Sequence, residues 1–245
     1  MTLNKVKNYI AIDIGNSLIK TLIIQDNKHI YKQTDKWEKI KNEIEEYTKI
    51  SYQVIISNVR ATISDSIITT FNQKKVLLLN HYTPLPIKNN YKTPTTLGYD
   101  RIAAAVAANE LFPNLPCLII DAGTAITIDL IHHSSFEGGA ISPGIEMRYK
   151  ALNRFTKNLP MLNKTEHFAF PGKSTNESIH NGVIQGVVFE LEKRIESFQE
   201  IFPQGKTIIT GGDCLYLEKL IKKSIFAEPE LVLKGLINIL KYNAL

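Results

Sequence analysis

Two short segments of this chain share one pattern and lie almost half the chain apart. AIDIGNSLIK at residues 11–20 and LIIDAGTAITI at residues 118–128 each contain an apolar run that ends at an aspartate. These aspartates are Asp13 and Asp121, and each is followed by one apolar residue, a glycine, an asparagine or threonine, and then a second apolar run. Strands disfavour Asp, Gly and Asn, so each segment predicts strand, turn and strand. The repetition predicts a duplicated domain whose two turns face one cleft.

The residue types in these turns suit phosphate chemistry. A glycine lets the backbone approach a phosphate group closely, and neighbouring N–H groups and hydroxyls bind its oxygens. A carboxylate holds the accompanying cation. The two turns together therefore predict a phosphate site, whereas either turn alone is equally consistent with a hairpin opened by its aspartate.

A third glycine turn, TGGD at residues 210–213, follows the apolar run TIIT. Its backbone N–H groups suit contact with a nucleotide. Taken alone, the segment is better interpreted as a strand-to-helix turn in which Asp213 is the helix N-cap.

Composition excludes several classes of protein. The chain has 245 residues, of which 44% are hydrophobic and 22% charged, as expected for a globular protein with a core. No apolar run reaches the roughly 18 residues of a membrane span, and the N-terminus lacks the pattern of a signal peptide. Two cysteines give no disulfide framework, so we expect a cytoplasmic protein. The net charge of +5 comes from dispersed lysines, which does not indicate nucleic-acid binding.

Periodicity predicts alternating strands and helices, and hence an α/β fold. The predicted strands are 9–14, 18–24, 54–57, 76–79, two within 118–131, and 207–210. The predicted helices are 36–49, one between residues 57 and 76, 101–112, one after residue 144, 175–200, 213–223 and 231–240. Loops are predicted at 83–98 and 137–144. A boundary near residues 113–116 gives domains 1–115 and 116–245.

Five motifs in this order, DIGNS, LGYDR, DAGTAITID, GGAISPG and TGGD, make the chain similar to the type III pantothenate kinases. This family belongs to the superfamily of acetate kinase, sugar kinases, heat-shock chaperones and actin. The resemblance implies two ribonuclease-H-like (actin-like ATPase) domains, each a mixed sheet flanked by helices. It also implies a homodimer that uses ATP, Mg2+ and a monovalent cation (K+ or NH4+). The implied reaction converts pantothenate to 4′-phosphopantothenate, the first step towards coenzyme A.

The resemblance also assigns roles to individual residues. It implies that Asp121 binds the monovalent cation and that Asp100 accepts the proton of the pantothenate hydroxyl. Ser17 stands where the family more often has threonine, and the hydroxyl is retained. The implied ATP contacts are Asp13, Ile14, Gly15, Asn16, Ser17, Leu18, Ile19, Lys20 and Thr124. The implied pantothenate contacts are Tyr91, Gly98, Tyr99, Asp100, Arg101 and, from the partner subunit, Thr175.

Several of these residues have structural alternatives. Asp100 stands at a helix start, where aspartate is a good N-cap, and Arg101 suits a surface salt bridge. Thr175 lies in STNE, a capping sequence. Gly182 and Gly186 are unfavourable in a helix by about 1 kcal/mol each relative to alanine. Close packing would explain them, either at a dimer seam or within the subunit.

Other motifs are excluded or leave rivals open. PGKST at 171–175 is not a P-loop, because the required first glycine is replaced by His167. Neither cysteine has a histidine at zinc-ligand spacing, and Cys117 suits a buried strand. The rival functions are a kinase of the same superfamily with another acceptor, a non-catalytic regulator of the Bvg accessory factor type, and an ATPase of the chaperone or actin kind.

Overall fold

The computed structural model describes residues 8–26, 28–48, 52–59, 69–71 and 76–243. Contacts divide the chain into two units. Unit 1 comprises the chain up to Pro113, Ser134–Phe136 and Glu230–Leu245, and unit 2 comprises Asn114–His133 and Glu137–Pro229. We retain 1–115 and 116–245 as proposed domains. The main difference is that the contact division assigns Glu230–Leu245 to unit 1, whereas the proposed division assigns these residues to the second domain.

Unit 1 contains a five-stranded mixed sheet. Its central strand β1 is buried at every residue, as expected for a continuous apolar run covered on both faces. β1 pairs antiparallel with β2 and parallel with β4, and the strand order is β3-β2-β1-β4-β5. The four strands predicted in this region are confirmed. The strands are β1 (Asn8–Ile14), β2 (Ile19–Gln25), β3 (Lys28–Thr34), β4 (Tyr52–Asn58) and β5 (Val76–Leu78).

The helices of unit 1 include a tightly packed pair. The N-terminal helix predicted at 36–49 is present as a 3-10 turn at Trp37–Lys39 followed by α1, and the helix predicted between residues 57 and 76 lies largely outside the described residues. Helix α2 (Tyr99–Leu111) is alanine-rich and packs against helix α6 (Leu231–Asn243). A Cβ at Gly235 of α6 would lie 1.8 Å from the carbonyl oxygen of Ala103 in α2. The two backbones therefore pack in direct contact. The helices are α1 (Lys41–Thr48), α2 (Tyr99–Leu111) and α6 (Leu231–Asn243).

Unit 2 contains a second mixed sheet, in the order β11-β10-β7-β8-β9. β7 pairs antiparallel with β8 and parallel with β10. The start of β9 belongs to unit 1 and pairs with the two-residue strand β6 (Lys88–Asn89). This short strand and a 3-10 turn at Pro94–Thr96 interrupt the predicted loop 83–98, which is otherwise confirmed. The strands are β7 (Cys117–Ala122), β8 (Ala125–His132), β9 (Ser135–Pro143), β10 (Lys206–Thr210) and β11 (Phe226–Ala227).

The loop predicted at 137–144 is wrong, because nearly all of it belongs to β9. Its glycines indicated a turn, but their role is close approach of backbones. A Cβ at Gly139 would lie 2.1 Å from the carbonyl oxygen of Ile128 in β8. The local sequence of these residues thus predicts a loop, whereas in the folded sheet they form a strand.

Three helices complete unit 2. The helices predicted after residue 144 and at 175–200 are confirmed as α3 (Ile145–Phe155) and α4 (Thr175–Ile201). The helix predicted at 213–223 is shorter, α5 (Cys214–Glu218), because the N–H groups of Leu220 and Ile221 both return to the carbonyl of Leu217 and close the last turn. In the described part of the chain, no helix has the length and apolar character needed to cross a bilayer.

Candidate active site

Asp13 lies near the end of the central strand of unit 1, between two polar neighbours. It faces Lys20 across the β1–β2 pair and Ser57 across the β1–β4 pair. The Ser57 hydroxyl donates a hydrogen bond of 3.1 Å to Asp13 Oδ1. Asp13 is only 8% exposed. The strand end therefore presents a buried carboxylate that one serine orients.

The surroundings of Asp13 disfavour its charge. Burial raises its pKa from 3.8 to about 6, and the nearby negative charge of Asp100 acts in the same direction. Lys20 and the hydrogen bond from Ser57 lower the pKa but only in part. Two carboxylates whose charges repel each other form a place that a cation would stabilise.

The remaining residues of the first predicted ATP segment form the tip of the β1–β2 hairpin. The N–H of Gly15 donates to the carbonyl of Leu18 at 3.0 Å, which closes the turn. The residues Asn16, Ser17 and Leu18 are exposed, whereas the side chains of Ile14 and Ile19 are in the core. The structure thus brings the segment into one hairpin, and contact between this hairpin and ATP remains a prediction.

Asp100 is in the first turn of α2, but it is not the N-cap. That position belongs to Gly98, so the capping alternative is wrong. Oδ1 of Asp100 accepts a hydrogen bond from the N–H of Arg101 at 2.8 Å. A Cβ at Gly98 would lie 2.4 Å from the same oxygen, so glycine leaves room for the carboxylate. Asp100 is partly exposed and therefore accessible to a ligand.

Arg101 is buried rather than exposed at the surface, so the surface salt bridge alternative is also wrong. It is 7% exposed, and its guanidinium lies 5.5 Å from the ring centre of Tyr91 and 5.7 Å from that of Phe136. The two rings meet edge to face at 5.9 Å. Arginine stacks well on aromatic faces, so the predicted substrate residues Tyr91 and Arg101 lie in one cluster. Sequence reasoning missed Phe136, because nothing around it distinguishes it from a core aromatic.

Tyr99, the third predicted member of the substrate segment, has a partner that sequence reasoning also missed. Its hydroxyl and Nδ1 of His81 are 3.2 Å apart, and the ring centres are separated by 5.6 Å. Burial raises the pKa of Tyr99 above its usual value, so the phenol is protonated at neutral pH. His81 follows the strand region at 76–79, where no motif pointed to it.

Asp121 lies at the end of β7 in unit 2, close to the glycine turns at Gly123 and Gly211. The Gly123 N–H closes the β7–β8 turn by donating to the carbonyl of Ala125 at 3.1 Å. The Gly144 N–H donates to the carbonyl of Thr124 at 3.2 Å. Gly211 has φ +95°, and a Cβ there would lie 2.4 Å from Asp121 Oδ1. The TGGD turn is therefore part of the Asp121 surroundings.

Asp213 precedes α5, as the strand-to-helix interpretation of TGGD predicted, but its side chain caps nothing. Its carboxylate instead forms an ion pair with Lys164. Its N–H donates to the carbonyl of Ala122 at 2.9 Å. The turn is thus anchored to the end of β7.

The donor set suits hard cations held together with phosphates. Within the described residues, no group of three or more His, Cys, Asp and Glu side chains could hold a metal ion. Mg2+ bound with a nucleotide uses one or two carboxylates plus phosphate oxygens and water, so it does not need such a cluster. Asp13 and Asp121 provide carboxylates of this kind. Cys117 and Cys214 are buried, and burial raises the thiol pKa of Cys117 to about 12.

Thr175 is the first residue of α4, and the cap is its neighbour Ser174. The Ser174 hydroxyl accepts from the N–H of Glu177 at 3.3 Å, and the Glu177 carboxylate accepts from the N–H of Lys173 at 2.6 Å. The capping sequence is confirmed, but Thr175 is not the residue that caps. Its exposed side chain lines a cavity of about 1360 Å³ between α3 and α4, most of which is apolar.

Gly182 and Gly186 follow on the same helix. Apart from their own helix, no atom of the described residues lies within 4 Å of a Cβ built at either position. An internal packing contact therefore does not explain them. Large apolar side chains of α4 and of its neighbour α3 are exposed, among them Phe189 of α4 at 62% and Phe155 of α3 at 82%.

The fold and these turns define the class of protein. Two mixed sheets, each with an aspartate and a glycine turn at the end of a leading strand, define an α/β protein with the actin-like ATPase fold. A glucokinase from an Antarctic psychrotroph has this fold, with a TM-score of 0.52 at 9% identity over 97% of this chain and all of that chain.

The family follows from the sequence comparisons. The family model for type III pantothenate kinase matches residues 9–197, and the chain belongs to this family. The type III pantothenate kinase of Cytophaga hutchinsonii is 41% identical over 236 residues, covering 96% of this chain and 99% of that one. A solved structure from Campylobacter jejuni, described as a Baf family transcriptional activator, has a TM-score of 0.61 at 25% identity and covers 96% and 98%.

Proposed function

We propose that this protein phosphorylates pantothenate at its 4′-hydroxyl with ATP, giving 4′-phosphopantothenate for coenzyme A synthesis. Membership of the family supports this function. The observation that carries it is the juxtaposition of Asp13, Asp100 and the Arg101 cluster in unit 1. A cation site, a proton acceptor and an anion-binding side chain are thereby available on neighbouring elements.

Asp100 is the proposed proton acceptor. It takes the proton of the 4′-hydroxyl while the hydroxyl oxygen bonds to the γ-phosphorus and the bond from that phosphorus to ADP breaks. Phosphoryl transfer proceeds through a loose transition state, so it requires position and charge more than a strong base. Asp100 is partly exposed, and its Oδ1 is held by the N–H of Arg101, which fixes its direction.

The hairpin at Asp13–Lys20 and the hydroxyl of Thr124 are the proposed contacts with ATP. Mg2+ would neutralise phosphate charge beside Asp13, and Asp121 would hold K+ or NH4+. Lys20 faces Asp13 across the strand pair and supplies a cation on the same hairpin. Gly15 leaves the turn backbone open to phosphate oxygens.

Arg101 is the proposed partner of the pantothenate carboxylate, through a two-pronged hydrogen bond. The rings of Tyr91 and Phe136 fix the plane of its guanidinium. Tyr91, Gly98 and Tyr99 line the same segment and complete the proposed acceptor site.

We also propose a cytoplasmic homodimer in which Thr175 of the partner subunit reaches the acceptor. The exposed Phe155 and Phe189, with the bare helix surface at Gly182 and Gly186, support an apolar contact at this face. The requirement for ATP supports a cytoplasmic location.

The direct test is ADP release by the purified protein with Mg-ATP and K+, with and without pantothenate, and a mass measurement of the product. We expect ADP only with pantothenate, and one added phosphate on the product. An Asp100→Asn variant should lose activity by about 100-fold or more. Glu110→Gln, an exposed change on the same helix, should be unaffected.

The outcomes separate the rivals. ADP formation with a different alcohol would indicate a related kinase with another acceptor. The Campylobacter jejuni relative described as a transcriptional activator makes a regulatory role the second candidate. Nucleotide binding without ADP formation with any acceptor, under several cations, would favour that role. Full activity of Asp100→Asn would contradict the assignment of the proton acceptor.

A further inference from the structure

The segment Ser142–Pro143–Gly144 lies directly against the turn that contains Thr124. The Gly144 N–H donates to the carbonyl of Thr124 at 3.2 Å. A Cβ at Gly144 would lie 2.3 Å from the carbonyl oxygen of Gly123 and 2.5 Å from that of Thr124. Any movement of this segment therefore moves the Thr124 turn.

Arg148 binds this segment from the first turn of α3. Its Nε donates to the carbonyl of Pro143 at 2.8 Å, and one Nη is 3.5 Å from the hydroxyl of Ser142. Its own N–H donates to the carbonyl of Gly144 at 3.0 Å. One residue thus contacts three consecutive residues of the segment.

Glu190 of α4 holds Arg148 in turn. Its carboxylate forms an ion pair with the Arg148 guanidinium, and the side chains are only 28% and 23% exposed. Burial raises the pKa of Glu190, but hydrogen bonding by Ser142 and the charge of Arg148 outweigh burial and leave the pKa below its usual value. Glu190 is therefore ionised at neutral pH, and it contacts both Arg148 and Ser142, the residue that Arg148 also approaches.

We propose that Arg148 and Glu190 are positioning residues for the nucleotide. Together they fix Ser142–Gly144 against the Thr124 turn, and so fix the hydroxyl that meets ATP. This inference rests on the proposed contact of Thr124 with ATP. It predicts an effect on the nucleotide, although Arg148 also lines the cavity between α3 and α4, on the proposed acceptor side.

The test uses Glu190→Gln in the full-length protein, with Glu196→Gln as the matched control. Glu196 is on the same helix and pairs with Lys193, but that pair is exposed. We expect KM for ATP to rise about tenfold in Glu190→Gln, because small displacements of positioning groups have effects of this order or larger. KM for pantothenate, oligomeric mass and the far-UV spectrum should match wild type. Glu196→Gln should change none of them.

A second measurement separates this inference from the proposed function. Affinity for a non-hydrolysable ATP analogue is measured by calorimetry, without pantothenate, for wild type, Glu190→Gln, Arg148→Met and the double variant. We expect each single change to weaken binding and the double change to weaken it no further, because the two residues act as one unit. Unchanged analogue affinity, or a rise confined to KM for pantothenate, would overturn the inference whether or not pantothenate is the acceptor.

Discussion

Replacing Asp13 with asparagine removes a charge that the fold holds at a disadvantage. Burial and the negative charge of Asp100 raise the pKa of Asp13 from 3.8 to about 6. A carboxylate with a higher pKa in the folded than in the unfolded state destabilises the fold once it is ionised. Asp13→Asn should therefore abolish activity and at the same time stabilise the protein at neutral pH.

The magnitude follows from the shift. At about 1.4 kcal/mol for each pKa unit, the ionised Asp13 costs about 3 kcal/mol of folding free energy. Asparagine keeps an oxygen that can accept from Ser57, so most of this amount should be recovered. For a chain of this length, about 2–4 °C per kcal/mol gives a rise in Tm of about 5–10 °C.

The pH dependence gives the sharper test. Below pH about 4, Asp13 is protonated in both states, and the variant should have no advantage over wild type. Between pH about 4 and 6, the unfolded-state carboxylate ionises while the folded-state carboxylate stays protonated, so wild type loses stability and the difference in Tm should grow. Above pH about 6 the carboxylate is ionised in both states, and the difference should level off. The assay is thermal unfolding of nucleotide-free protein at pH 4 and at pH 8, with Asp35→Asn, an exposed site, as control. An equal or lower Tm for Asp13→Asn at pH 8 would refute the reasoning.

Three further outcomes are expected. Gly235→Ala should lower Tm in a thermal melt by several degrees, about 2 kcal/mol, because its Cβ would lie 1.8 Å from the carbonyl oxygen of Ala103; an unchanged Tm would contradict the close packing of α2 and α6. Arg101→Lys should raise KM for pantothenate about tenfold or more, since lysine lacks the two-pronged fork; a rise only in KM for ATP would move Arg101 to another role. In steady-state kinetics, kcat/KM for ATP should fall below pH about 6 as Asp13 becomes protonated; a flat profile through this range would count against a charged Asp13.

Much of the fold was predictable because most of its strands contain apolar runs and its helices have clear periodicity. Strand β3, KHIYKQT, is mostly polar and partly exposed, and the sequence analysis did not predict it. The central strand β1 is buried along its whole length, so its sequence leaves little choice. The error at 137–144 shows the limit. Gly138 and Gly139 look like a turn locally, but the strand continues through them, and at Gly139 the carbonyl of Ile128 on the neighbouring strand leaves no room for a side chain. That constraint is not present in the local sequence.

The candidate site was predictable where one motif carries it, and not where distant segments meet. The hairpin at Asp13 was predicted from its residue types, and the LGYDR segment from its resemblance to the type III pantothenate kinases; the roles of both remain predictions. Ser57 and Phe136 were missed, because each reaches the site only through strand pairing with residues far away in the chain. The capping alternative named Thr175, whereas the cap of α4 is Ser174, one residue earlier. Both residue types serve as N-caps, so the sequence alone did not distinguish them.

The proposed sharing of Thr175 between subunits makes a prediction that a single-subunit site does not. Asp100→Asn and Thr175→Ala variants should each have low activity, and co-expression with two tags yields the mixed dimer. In that dimer, the subunit that retains Asp100 receives Thr175 from its partner, so one of its two sites is intact.

Random pairing should therefore restore about a quarter of wild-type activity, and the purified mixed dimer about half. If Thr175 served its own subunit, every site in the mixed dimer would lack either the proton acceptor or the threonine, and no activity would return. A mixture of the two Asp100→Asn preparations, carrying the same two tags, is the control for tag effects. Activity at the level of the single variants would thus reject the shared site while leaving the kinase assignment intact.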